Sequence, residues 1–276
     1  MKNTTVRQLD SHTWQFTEKL LGEAAYCYLL EGNERSLLID TAYGFTDIPG
    51  TIKKLTDKPL TVVNTHGHFD HISGNYLYNE VYLSEKDREV YLRHSHRDTI
   101  EKILQTATDN ALAKKCLLVL ANKALKQIYS HPFPDTLSLP KCGYFELGDR
   151  KVDIIETPGH TAGSISLLDE NSGWLFSGDI CGGAAVLLQF PESTSLREYH
   201  HTIAVIRKLV SEGKVNRNYP AHQNVPVPLE KLEIYDRLLT GMEVGRMTEK
   251  EWKKGVVSED GISVQFDPDR VREEIK

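Results

Sequence analysis

The chain has 276 residues, 39% of them hydrophobic, and a formal net charge of −6 at neutral pH. That length suits one large domain or two small ones and can bury a substantial core. The acidic balance disfavours a nucleic-acid partner, and no apolar run approaches the ~18 residues needed to span a bilayer.

Met1-Lys2-Asn3-Thr4-Thr5 leads into no apolar segment of signal-peptide type, so a cytoplasmic protein with no membrane association is expected. Cys27, Cys116, Cys142 and Cys181 are widely spaced and form no C-x-x-C pair. This argues against a thiolate zinc site and against a disulfide framework, leaving buried thiols in a reducing compartment.

In chain order, β character comes first, at 13–17, 24–30 and 36–40, with a polar turn over 31–35. A short helix is expected from about Asp47, with Ile48, Ile52 and Leu55 on one face. The apolar, β-branched run Leu60-Thr61-Val62-Val63 reads as a buried strand. It opens directly into Asn64-Thr65-His66-Gly67-His68-Phe69-Asp70-His71.

That stretch is the centre of the chain's chemistry. Side chains two apart on an extended backbone share a face, which would aim His66 and His68 together. Gly67 lets the backbone turn, and Asp70 and His71 then fall past the turn, where Asp70 is placed to cap a following helix. Imidazole nitrogens and carboxylates are the ligands zinc and its neighbours prefer. From this chain's own composition, the ordered pattern H-x-H-x-D-H would arise by chance in about one such chain per thousand.

Beyond the motif, 81–83 reads as a strand, and the chain then turns helical from Ser84 to Tyr129, with Ala111 to Ile128 rich in Ala, Leu and Lys. This is too long for an ordinary connection, so residues 84–135 are expected to form a helical insertion within a single domain spanning 1–276. The insertion is read either as a lid or as an interface of a homo-oligomer. Strands return at 144–147, 152–156 and 164–168. The run 173–179 then ends in Asp179, much as 36–40 ends in Asp40. A helix over 195–210 follows, with a capping-box pattern at Ser195 to Glu198 and a stripe of Leu196, Tyr199, Ile203, Ile206 and Val210. The run 215–219 leads into Pro220-Ala221-His222. The order strand–Asp, helix, strand–His therefore occurs twice. A helix near Pro228 and an alternating strand at 262–266 close the chain.

One more histidine lies in the Gly- and Pro-rich turn Thr157-Pro158-Gly159-His160-Thr161. Taken together, T-H-x-H-x-D-H at 65–71, P-G-H-T at 158–161, S-G-D at 177–179 and P-x-H at 220–222 resemble the metallo-β-lactamase superfamily, particularly its glyoxalase II-like hydrolases. The resemblance covers roughly residues 20–230. It implies an α+β fold, a four-layer αββα sandwich. It further implies one metal on His66, His68 and His160, a second on Asp70, His71 and His222, and Asp179 bridging both. The cofactor would be two divalent ions, zinc first, with iron or manganese as alternatives. A hydroxide shared by two such ions is a nucleophile near neutral pH, and Asp70 would orient it and carry a proton.

The implied activity is hydrolysis of an ester-like bond, a thioester, lactone or relative, in a small acyl-bearing substrate. The alternatives are a mononuclear iron enzyme of persulfide-dioxygenase type, a phosphodiesterase of the same fold, and a non-catalytic binding protein. Some features narrow the choice. Gly182 stands where lactonases of the superfamily carry tyrosine, and His68 where diiron flavoproteins use glutamate. The tail after Met242 shows no glutathione-binding helical domain. No nucleophile elbow, P-loop or dinucleotide fingerprint appears. The insertion and the small apolar segment 181–188 are expected as pocket walls, with Cys181 packing and Tyr43 near a mouth. His12, His94, His96, His131, His200 and His201 fall outside the ligand pattern, and His200 and His201 are expected at the surface.

Overall fold

The computed structural model describes residues 5–20, 22–108, 126 and 128–274, and of residues 104–108 the backbone alone. The chain divides into two compact units, Met1–Lys141 with Glu146–Arg150, and Cys142–Phe145 with Lys151–Lys276.

The first unit is built on a seven-stranded sheet whose spatial order follows the sequence. Strands β1 (Thr5–Asp10), β2 (Thr13–Leu20), β3 (Glu23–Glu31) and β4 (Ser36–Ile39) form an antiparallel meander. Helix α1 (Ile48–Leu55) then crosses over, so that β5 (Leu60–Val63) pairs parallel to β4 with Ile39 opposite Val63. Asp47 caps α1 by accepting the Gly50 N–H, and Ile48 and Ile52 are buried with Phe16, Leu29, Leu38 and Val62. Past β5 come the one-turn helix α2 (Phe69–Ile72), β6 (Val81–Leu83), and helices α3 (Arg88–His94) and α4 (Arg97–Thr108). Strand β7 (Thr136–Ser138) closes the sheet parallel to β6. The insertion is helical as far as Thr108. The helix expected over 111–128, with Cys116 in it, falls almost wholly outside the described residues.

The second unit holds a five-stranded sheet, ordered β13-β11-β10-β9-β8, and a three-stranded one, β12-β15-β14. Strands β8 (Tyr144–Glu146), β9 (Lys151–Glu156), β10 (Ile165–Asp169) and β11 (Trp174–Gly178) come first. β12 (Ala185–Leu188) follows them, so the segment expected as a pocket wall is in part a strand. Helix α5 (Leu196–Ser211) then carries the chain to β13 (Arg217–Pro220), which lies parallel to β11. The repeated order of strand–Asp, helix and strand–His is thus a right-sized parallel crossover in each unit. The stripe on α5 is buried at Leu196, Tyr199, Ile203 and Ile206, packed with Leu175, Ile180 and Val186. Ser195 caps α5 through the Glu198 N–H, whereas the reciprocal capping box occurs at Thr248 and Glu251. Helix α6 (Lys231–Glu243) and the hairpin of β14 (Val256–Glu259) and β15 (Ile262–Phe266) complete this core. The short strands β1, β7, β12 and β14 were not legible in the sequence pattern.

Candidate metal centre

Parallel βα units present functional side chains beyond the carboxyl ends of their strands, and both crossovers do so here. In the first unit, Asp40 follows β4 and its N–H donates to Val63 O at 2.8 Å. Its buried carboxylate accepts the Thr65 N–H at 2.8 Å, the Thr65 hydroxyl at 2.8 Å and His71 Nδ1 at 2.8 Å. With its Nδ1–H given to Asp40, His71 keeps Nε2 as the electron-pair donor, and Nε2 lies 4.0 Å from Asp70 Oδ1. His66 Nε2 and His68 Nδ1 stand 3.1 Å apart. Zinc–nitrogen bonds of ~2.0–2.1 Å at tetrahedral angles separate two donor atoms by about 3.3–3.4 Å. The His66–His68 spacing is close to that edge.

The surrounding chain fixes these rings. His71 O accepts from the Thr41 hydroxyl and from Asn64 Nδ2, each at 3.0 Å, and Asn75 Nδ2 donates to Asn64 Oδ1 at 2.8 Å. Gly67 is required by close approach, because a methyl there would sit 2.7 Å from Tyr91 N on α3, and the Gly67 N–H is held by Asp87 Oδ2 at 2.8 Å. His68 occupies the N-cap position of α2, so Asp70 lies in its first turn and does not cap it as expected. The sequence reading missed two residues. In the sequence Asp40 reads only as a strand end. His94 falls outside the ligand pattern, yet it is buried, its ring lies 4.8 Å from that of His68, and its Nδ1 accepts the Phe69 N–H at 3.2 Å. No local spacing signals either one, since their partners lie 25 or more residues away.

In the second unit, His160 sits in the loop between β9 and β10. Its Nδ1–H donates to Leu187 O on β12 at 2.8 Å, which leaves Nε2 as the donor to a metal, 3.5 Å from Asp179 Oδ2. The other oxygen, Asp179 Oδ1, lies 3.3 Å from His222 Nε2, beyond the end of β13. Asp179 therefore turns one oxygen to each of two histidines, both at donor–donor spacings suited to a shared cation. This donor chemistry, imidazoles beside carboxylates with His71 and His160 each turning Nε2 inward, fits divalent metal.

The other histidines stay outside. His12 is exposed beside Glu31, and His131 stacks on Tyr76. His200 is half-buried rather than at the surface, held between Asp236 at 3.2 Å and Glu243 at 3.1 Å, while His201 is exposed. Cys181 lies in the core, where burial pushes its thiol up to about 11, so it is no ready thiolate. Tyr43 is buried in the first unit's apolar cluster.

A profile described as the metallo-beta-lactamase superfamily matches residues 21–204. The acyl-coenzyme A thioesterase MBLAC2 of Bos taurus is 28% identical over 215 residues, spanning 74% of each chain. The Homo sapiens protein of that name is 27% identical over 220 residues, with the same coverage. A solved metallo-beta-lactamase from Pontibacter korlensis matches with a TM-score of 0.58 at 18% identity, over 86% of this chain and 99% of that one. The matched fold and the histidine–aspartate sets define a metal-dependent hydrolase. The chain belongs to the metallo-β-lactamase superfamily and has its α+β fold.

Proposed function

We propose that the chain is a dinuclear zinc hydrolase that cleaves a thioester, or a closely related ester-like bond, in a small acyl-bearing substrate. In this reading His66, His68 and His160 would hold one ion, Asp70, His71 and His222 would hold the other, and Asp179 would serve both. The observation that carries it is Asp179, whose two oxygens face two different histidines at 3.5 and 3.3 Å. The acyl-coenzyme A thioesterases among the relatives support the choice of bond.

Two divalent ions supply such a site with a hydroxide nucleophile near neutral pH and with a Lewis acid for the carbonyl oxygen. The residues do the rest. Asp40 keeps His71 in the Nδ1–H tautomer and Leu187 O does the same for His160, so both present Nε2. Asp70, partly exposed, is positioned to accept the proton released as water oxygen attacks the acyl carbon. The C–S bond then breaks, giving a carboxylic acid and a thiol. Thiols titrate near ~8.5, so the departing sulfur needs little acid assistance. No membrane-crossing helix is found among the described residues, and Cys27, Cys142 and Cys181 are free thiols. Both support a cytoplasmic setting.

The test is a panel of acyl thioesters, lactones, phosphodiesters and β-lactams presented to the zinc-loaded protein. Thioester turnover that is lost in Asp70→Asn is expected. A panel with no turnover would restore the binding-protein reading, and preference for phosphodiesters would replace the substrate class.

A further inference from the structure

The loops that carry His160 and Asp179 are each tied down by three consecutive backbone carbonyls. In the first, Pro158 O accepts the Thr202 hydroxyl at 2.7 Å, Gly159 O the Thr194 N–H at 2.9 Å, and His160 O the Ser193 hydroxyl at 2.8 Å. In the second, Ile180 O accepts the Tyr199 hydroxyl at 2.7 Å, Cys181 O accepts Asn218 Nδ2 at 2.8 Å, and Gly182 O the Tyr235 hydroxyl at 3.1 Å. Tyr199 and Thr202 are three residues apart on α5, hence neighbours on one helical face. Both are fully buried, and the Tyr199 ring lies so close to Gly159 that a methyl group there would collide with it. One helical face thus grips the carbonyl two residues before His160 and the carbonyl directly after Asp179.

We infer that Tyr199 and Thr202 are positioning residues for the metal centre, holding His160 and Asp179 at a fixed separation through their backbones. This rests on the metal-centre reading above. The clamps fix both peptide planes that flank His160 and the segment that directly follows Asp179. Through Tyr199 and Thr202, α5 ties these two loops to one rigid face, 3.5 Å separating His160 Nε2 from Asp179 Oδ2. Metal sites lose affinity steeply when such supports are removed, typically about 10–100-fold. Burial raises the Tyr199 hydroxyl well above its ordinary value, so it remains a donor throughout the working pH range. Gly159 belongs to the same device, because only a residue without a side chain lets the Tyr199 ring lie between the two loops.

The experiment compares Tyr199→Phe, Thr202→Val and Thr202→Ser with the natural chain. Zinc affinity is read by competition with a chromogenic chelator, and thermal unfolding is measured on the metal-free proteins. Tyr199→Phe and Thr202→Val are each expected to weaken zinc binding about tenfold or more, while Thr202→Ser, which keeps the hydroxyl, binds as the natural chain does. The rise in Tm that zinc confers shrinks accordingly in the two weakened variants. If both weakened variants hold zinc as tightly as the natural chain, whatever their metal-free Tm, the residues are merely structural and the inference is overturned. A natural chain that binds no zinc at all removes the metal-centre reading, and this inference with it.

Discussion

Asp40→Asn tests how the protein sets the tautomer of His71, one of the proposed metal ligands. The substitution is nearly isosteric, and asparagine tolerates the left-handed backbone that Asp40 adopts, with φ of 62°. The amide oxygen can still accept the Thr65 N–H, and the Thr65 hydroxyl can rotate to accept from the new NH2. The His71 bond has no such remedy. An amide NH2 facing Nδ1 at 2.8 Å forces the imidazole proton onto Nε2, the atom proposed to bind metal. A charge-assisted hydrogen bond contributes ~1.5–3 kcal/mol. Losing an outer partner of a ligating histidine costs about 10–100-fold in metal affinity, or ~1.4–2.8 kcal/mol at ~1.4 kcal/mol per factor of ten. The two estimates agree. Zinc titration should therefore show one of the two equivalents weakened 10–100-fold in Asp40→Asn and the other near its natural affinity. Two equivalents bound with unchanged affinity would refute the tautomer argument.

Gly67→Ala would place a methyl 2.7 Å from Tyr91 N, a backbone atom that cannot swing aside. A loss of ~1–3 kcal/mol is expected in denaturant unfolding, and an unchanged midpoint would show that α3 can move. Glu18 is buried with its carboxylate accepting from Thr46 and Phe45 N–H groups, and burial raises its carboxyl above the ordinary range. A raised folded value gives stability that is present in acid and lost as pH climbs through that value. Glu18→Gln removes this titration, so apart from a constant offset its stability relative to the natural chain should rise between pH ~4 and neutrality. A flat difference across that range would contradict the assignment. Stripping metal with a chelator should lower Tm, because ligands that bind only the folded state stabilise it, and restored zinc should reverse the loss.

Much of this was legible in the sequence because βα crossovers leave a strong trace. Parallel strands such as Leu60–Val63, buried at Val62 and Val63, are short apolar and β-branched runs, and the candidate ligands follow their ends. The dense cluster from His66 to His71 needed no long-range information, and the repeated strand–Asp order pointed to a second half. That repetition did not reveal roles, because Asp40 and Asp179 hold the same place in their crossovers but do different work. Asp40 binds Nδ1 of His71 and the Thr65 N–H, whereas Asp179 faces two Nε2 atoms. Nothing local separates the two roles. His94 was equally hidden, since its contact with His68 arises only from the packing of α3 against the motif loop. The carbonyl clamps of α5 escaped for a related reason. Tyr199 and Thr202 look like ordinary members of a buried helical stripe, and the positions of their hydroxyls depend on loops that start more than fifteen residues earlier.

The most direct test of the dinuclear reading is a metal count on purified protein loaded with zinc and freed of excess, repeated on Asp179→Asn. The natural chain should retain two zinc ions, and the variant, having lost the carboxylate shared by His160 and His222, should retain fewer. A natural chain that holds a single ion, or a variant that still holds two as firmly, would contradict it.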